Sequence, residues 1–207
     1  MHTVILCRSR LAAALALLAL AAGLALAAPG AWAAPEPEDP AKRTPWGLYL
    51  TAEEAYALKQ EKGEQALFVD VRDPIEIMFT GFTDVVDRNV PFLLSDPSRW
   101  HDKKPVFKMA PNPDFADGVE RALAAQGLDK SAPVILMCRS GGSRGAPSAR
   151  ALEGRGFERV YVVVDGFEGA SVKDRPNGPW RLKNGWKNAG LPWSYALNRE
   201  KMYFRQD

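Results

Sequence analysis

The apolar positions of this 207-residue chain fall into short, nearly continuous runs with helical stretches between them. Ala66 to Val71 is such a run, broken only by Asp70; Val134 to Met137 and Val160 to Val164 are two more. A strand that is apolar at successive positions is covered on both faces, the mark of a parallel sheet between helices. Leu48-Tyr49-Leu50 predicts a shorter strand, and Val85-Val86 with Asn89 to Phe92 predicts another. Thr51 with Glu54 spells a capping box that opens a helix to about Lys62, where Gly63 stops it. Pro74 suits the first turn of a short helix running through Met78 to Gly81. Phe115, Val119, Ala122 and Leu123 share one face of a helix over 115–126, stopped by Gly127. A further helix carries Ala149 to Leu152 and ends by Gly154. Alternating strands and helices predict an α/β fold, with a parallel sheet of about five strands flanked by helices.

Four stretches lie outside this pattern. Residues 1–33 combine Arg8 and Arg10, an uncharged Ala/Leu run from Leu11 to Ala28, and the small-x-small site Ala31-Trp32-Ala33. This is the pattern of a secretory signal peptide cleaved after Ala33, so the protein is expected to be exported, in a bacterium to the periplasm. An uncleaved membrane anchor is the alternative, since eighteen apolar residues begin to span a bilayer. Residues 34–46 are rich in proline and charge and predict a disordered spacer. Residues 93–112, with Asp96-Pro97, Trp100, His101 and Pro105, predict a long irregular connection, the kind that is often functional or mobile. Residues 171–207 hold Trp180, Trp186 and Trp193 without a period and read as a Trp-rich extension, with Trp186 and Trp193 strapping across the domain. The domain itself spans 47–170. No internal repeat is present.

Charge narrows the function classes. The chain has 27 Lys and Arg against 25 Asp and Glu. Cleavage after Ala33 removes Arg8 and Arg10 and no acid, which leaves 25 against 25. No basic face points to nucleic acid. Cleavage also removes Cys7 and His2, leaving Cys138 and His101 as the remaining cysteine and histidine. One thiol forms no internal disulfide, and one Cys with one His falls short of a zinc site. No metal or organic cofactor is implied.

The candidate chemistry sits at Cys138-Arg139-Ser140-Gly141-Gly142-Ser143-Arg144, directly after the apolar run ending at Met137. The order is strand, glycine-rich loop, helix N-terminus. Such a loop turns backbone N–H groups inward, and the helix adds its positive dipole end. Arg139 and Arg144 flank the same concavity. That setting favours the thiolate of Cys138, the nucleophilic form. Arg139 and Arg144 are candidate anion binders, and residues 139–144 candidate N–H donors. Ser140 and Ser143 are candidates to donate to a bound group or to cap the helix. A bland alternative remains open, in which Cys138 is a buried core thiol. His101 reads as a surface residue.

Taken together these motifs resemble the rhodanese-like domain family over roughly residues 48–170. Phe68-Val69-Asp70-Val71-Arg72-Asp73-Pro74 is similar to the family's hydrophobic-Asp-hydrophobic-Arg signature. Gly81-Phe82 through Pro91-Phe92 is similar to the next segment, with Phe82 where the family usually has His. Cys138 to Gly142 resembles the active-site loop, and Tyr161 to Gly166 the strand that follows. The resemblance implies a three-layer fold and a sulfurtransferase. Cys138 would take the outer sulfur of a small anionic donor such as thiosulfate, hold it as a persulfide, and pass it to cyanide or a thiol. Asp70 and Arg72 would form a buried pair supporting the loop. One departure stands out: Arg144 is six residues after Cys138, where many single-domain members place arginine after five. The longer C-x5-R loop is similar to that of dual-specificity phosphatases and arsenate reductases of the same fold. The rival is therefore attack on a phosphate, with Arg144 as clamp and Asp73, Asp165 or Glu168 as candidate general acids. A third class is non-catalytic: a sulfur carrier or redox sensor that docks on a periplasmic protein partner.

Overall fold

The structure is a computed structural model; it describes residues 33–205 except 175 and 177. The signal peptide expected over 1–33 lies outside those residues but for Ala33. No helix among the described residues is long and apolar enough to cross a membrane.

Among the described residues, nine strands and four α-helices follow one another. In order they are β1 (Leu48–Leu50), α1 (Ala52–Lys62), β2 (Leu67–Asp70), α2 (Pro74–Thr80) and β3 (Arg88–Asn89). The hairpin strands β4 (Leu93–Trp100) and β5 (Phe107–Pro111) come next, then α3 (Phe115–Ala125), β6 (Val134–Met137) and α4 (Gly145–Arg150). The chain closes with β7 (Val160–Val163), β8 (Ser171–Val172) and β9 (Trp180–Arg181). Five strands form one parallel sheet in the order β1-β7-β6-β2-β3. β6, which leads into Cys138, is its central strand, and every residue of β6 and of β2 is buried.

Alternate residues of these strands feed two separate cores. Leu67, Val69, Val134, Leu136 and Cys138 pack with Val119 and Leu123 of α3 and Ala149 of α4. Phe68, Ile135 and Met137 pack on the other face with Ala55 and Leu58 of α1 and Ile77 of α2. Two covered faces explain the unbroken apolar runs and give the expected three-layer α/β sandwich. The capping box at α1 forms in both directions: Thr51 Oγ1 accepts from the Glu54 N–H, and Glu54 accepts from the Thr51 N–H at 2.8 Å.

Two stretches differ from the pattern-based expectation, and a third, the C-terminal one, straps across the domain. Residues 93–111 form an antiparallel hairpin where an irregular connection was expected. Pro97 and a bulge between Asp96 and Trp100 hide its alternation, as an unshared edge allows. Residues 34–46, expected to be a disordered spacer, lie against the domain. Ala34 is buried and donates its N–H to Tyr49, Trp46 Nε1 donates to the Phe157 carbonyl, and Arg150 donates to the carbonyl of Arg43. The C-terminal stretch packs into the second core. Trp186 is fully buried between Tyr56 and Phe68, and Phe82 and Ser194 exchange a pair of backbone hydrogen bonds. Phe82, where the resemblance expects histidine, is thus a buried brace for the tail.

Candidate active site

Cys138 sits at the C-terminal end of β6, buried, and pairs in no disulfide. Residues 139–144 form the loop into α4. Among the described residues, none accepts a hydrogen bond from the N–H groups of 139–145. A loop with unpaired N–H groups beside a thiol is suited to hold negative charge.

The loop is fixed from behind by the segment after β7. Phe167 and Glu168 donate their N–H groups to the carbonyls of Cys138 and Arg139, at 2.9 and 2.7 Å. This approach requires glycine on both sides. Gly141 has φ +60°, and a Cβ there would lie 1.5 Å from the Val164 carbonyl oxygen. Gly166 has φ +65°, and its Cβ would meet the Cys138 oxygen and Ser140 nitrogen at 2.5 Å. Ser140 and Ser143 make no side-chain hydrogen bond to a described residue, and α4 follows its N-cap residue Arg144 without a side-chain cap. Capping by these serines is therefore not their role here. Ser143 is exposed and Ser140 half-buried.

Both loop arginines already have carboxylate partners. Arg144 is buried and meets Glu76 through both terminal nitrogens, with Nη2 to Oε1 at 2.8 Å. Arg139 bonds Glu168 through Nε and stands 3.8 Å from Glu76. Burial by itself pushes the Glu76 carboxyl up, but the Arg144 hydrogen bond and charge, with Arg72 and Arg139 beyond, hold it below the usual carboxylate range. Burial likewise pulls on Arg144, and the bond and charge of Glu76 leave it raised. Glu76 was not singled out in the sequence. It stands three residues after Asp73, so Asp73-x-x-Glu76 reads as a helix cap. Asp73 does cap α2, accepting from the Ile75 N–H at 2.7 Å, while Glu76 turns to the loop instead.

Two further cations come from the tail. Lys187 Nζ is 3.8 Å from Glu168 and donates to the Thr80 carbonyl at 2.8 Å. Arg181 donates to the Gly169 carbonyl; burial and then the Arg139 charge hold its pKa down.

Asp70 and Arg72 form a fully buried ion pair, with Nη2 to Oδ2 at 2.6 Å. Arg72 also donates to Thr80 Oγ1 and to the Gly81 carbonyl and lies 3.9 Å over the Phe167 ring. The pair thereby ties the end of β2 to both ends of the site wall: α2, which carries Glu76, and the 165–168 segment behind the loop. Of the candidate acids, Asp73 Oδ2 accepts from the Ser95 N–H, and Asp165 accepts from Ala52 and Gly185. Only Glu168 reaches the loop, and there it is held by Arg139. His101 lies in the β4–β5 turn, where its Nδ1 accepts from the Lys103 N–H. A cleft of about 1300 Å³ lies between the β4–β5 hairpin, α3 and residues 202–205, and Cys138 does not line it.

A family model described as the rhodanese-like domain matches residues 51–173. Among solved structures, the crystal structure of Rv0390 from M. tuberculosis is similar with a TM-score of 0.53 at 26% identity, covering 72% of this chain and 97% of that one. The solution structure of the polysulfide-sulfur transferase homodimer from Wolinella succinogenes gives a TM-score of 0.40 at 23% identity, covering 71% of this chain and 77% of that one. No curated protein matches the chain.

Proposed function

The chain belongs to the rhodanese-like domain family over residues 51–173, and we propose that it is a sulfurtransferase whose Cys138 carries the transferred sulfur as a persulfide. The observation that carries this reading is the placement of Cys138: a buried thiol at the end of the central strand, opening on a loop whose N–H groups have no acceptor among the described residues. In the first half-reaction the Cys138 thiolate attacks the outer sulfur of a small anionic donor. The Sγ–S bond forms as the donor's own bond to that sulfur breaks, and the leaving group departs with the electron pair. In the second half an acceptor, cyanide or a thiolate, attacks the outer sulfur and returns Cys138 as thiolate. The loop N–H groups hold the persulfide anion between the two halves. Arg139 and Arg144 shape the loop through their carboxylate partners, Glu168 and Glu76.

Phosphoryl transfer is less well supported. A phosphate needs both terminal nitrogens of the C-x5-R arginine, and Glu76 has them. The same reading places the protein outside the cytoplasm, with residues 1–33 as a cleaved leader, and leaves room for a periplasmic protein as donor or acceptor.

Intact-mass spectrometry tests the proposal. The purified protein is incubated with a sulfane donor beside Cys138→Ser. The expected result is a gain of one sulfur atom on the wild type alone, lost again on adding cyanide. No gain with any donor, together with Cys138-dependent turnover of an aryl phosphate, would overturn it in favour of phosphoryl transfer.

A further inference from the structure

Glu76 occupies the guanidinium that a doubly charged anion needs most. Arg144 is the most buried cation of the loop, and both of its terminal nitrogens bond the Glu76 carboxylate. The cations around the two carboxylates beside the loop, Glu76 and Glu168, are Arg139, Arg144, Lys187 and Arg181. The buried Asp70–Arg72 pair cancels itself. Four cations against two carboxylates and an ionised Cys138 leave one net positive charge. A singly charged donor neutralises the group. A dianion overloads it and must also displace Glu76 from a bidentate bond.

We propose that Glu76 sets the donor class of this site, so that Cys138 takes sulfur from singly charged sulfane donors in preference to dianions such as thiosulfate. The proposal rests on the sulfur-transfer reading above and names its donor. With the hydrodisulfide anion, HSS⁻, the Cys138 thiolate forms the new Sγ–S bond as the donor S–S bond breaks. HS⁻ leaves and Cys138 keeps a persulfide anion, so two single negative charges enter and two remain. With thiosulfate the same bond forms, and sulfite leaves carrying both charges of the donor. Nothing else is oxidised or reduced. The second case brings two charges against Glu76, and the first brings one.

The test compares loading rates with sodium disulfide and with thiosulfate, read by intact mass after alkylation quench. It uses wild type, Glu76→Gln and Glu76→Asp. The ratio of the two rates cancels any loss of folded protein, and comparing that ratio between variants cancels the intrinsic reactivity of each donor. Glu76→Gln is expected to raise the thiosulfate-to-disulfide ratio roughly tenfold, the scale of one partly buried charge at close range. Glu76→Asp, which keeps the charge, is expected to stay near the wild-type ratio. A ratio unchanged in Glu76→Gln, with Cys138 still accepting sulfur, overturns the role of Glu76 and leaves sulfur transfer standing. If neither donor adds sulfur to Cys138 in any variant, both readings fail together.

Discussion

Single residues at this site were legible to unequal degrees. Cys138 and its loop announce themselves by spelling, because a thiol at the end of an apolar run and before glycines has few other uses. Glu76 does not, because its position in the first turn of α2 has an ordinary explanation as a cap. Its partner is 68 positions along the chain, and nothing local to either residue records the pairing. Asp165 shows a related concealment. It follows β7 and reads as a turn residue, yet burial pushes its carboxyl from 3.8 up to about 6, with Glu53 adding to the rise and the Ala52 and Gly185 N–H groups opposing it. The folded pKa is raised, so below about pH 4 both states are protonated and Asp165 costs nothing. Between about pH 4 and 6 the native state keeps a proton that the unfolded chain has lost, and stability falls as pH rises. Above about 6 the penalty is complete, about 1–3 kcal/mol. Asp165→Asn removes this titration but places an amide NH₂ against one of two N–H donors, at a cost of about 1–2 kcal/mol at every pH. The wild type is therefore expected to be the more stable protein at pH 4, with its advantage shrinking toward pH 7. Urea denaturation across that range measures the gap, and a gap that is constant or widens refutes the assignment.

At the scale of elements, the close seating of the 139–144 loop on the 164–168 segment makes its own prediction. Gly141→Ala places a methyl 1.5 Å from the Val164 carbonyl oxygen at a φ that alanine avoids. It should cost about 2–4 kcal/mol and lower the rate of Cys138 loading beyond what the lost stability explains. Gly154→Ala is the control, with similar positive φ and nothing within 4 Å of the added methyl; it should cost about 1 kcal/mol and leave loading unchanged. Chemical denaturation and the loading assay separate the two, and equal effects would mean that the loop tolerates displacement. The elements that the sequence pattern predicts are those whose order comes from local rules. β2 and β6 are buried on both faces and so nearly wholly apolar, and the Thr51–Glu54 box marks the start of α1 by side-chain chemistry alone. The β4–β5 hairpin escapes the same reading. Its strands pair only with each other, and Leu93–Trp100 carries Pro97 and a bulge, so neither alternation nor a continuous run survives. The glycines of the active loop are visible in the sequence, but not the carbonyl that each must avoid.

For the whole molecule, the tail decides how the site is held. Residues 171–205 lack a period because the described ones among them form little regular structure; they pack through a few large side chains instead. Trp186 is buried in the second core, donates its backbone N–H to the Gly166 carbonyl and its indole N–H to Pro192. Lys187 donates its N–H to Phe167, and Gly185 donates to Asp165. These bonds brace residues 165–168 from the side opposite the loop, and Glu168 in turn holds the Arg139 carbonyl and guanidinium. The tail and the Cys138 loop therefore share one wall. Trp186→Ala should cost about 3–5 kcal/mol, as expected for a large aromatic removed from a core that cannot collapse around the gap. The loss should not stop at stability. Amide exchange at Phe167 and Glu168, whose N–H groups close the loop, should speed up in Trp186→Ala under conditions where β6 remains protected, because that wall has lost its outer support. Trp180→Ala is the matched control, since that side chain is more than half exposed and should change neither quantity by more than a small margin. Hydrogen exchange read residue by residue distinguishes the cases. Faster exchange confined to the tail, with Phe167 and Glu168 still protected, would mean the tail only covers the sheet and does not brace the site.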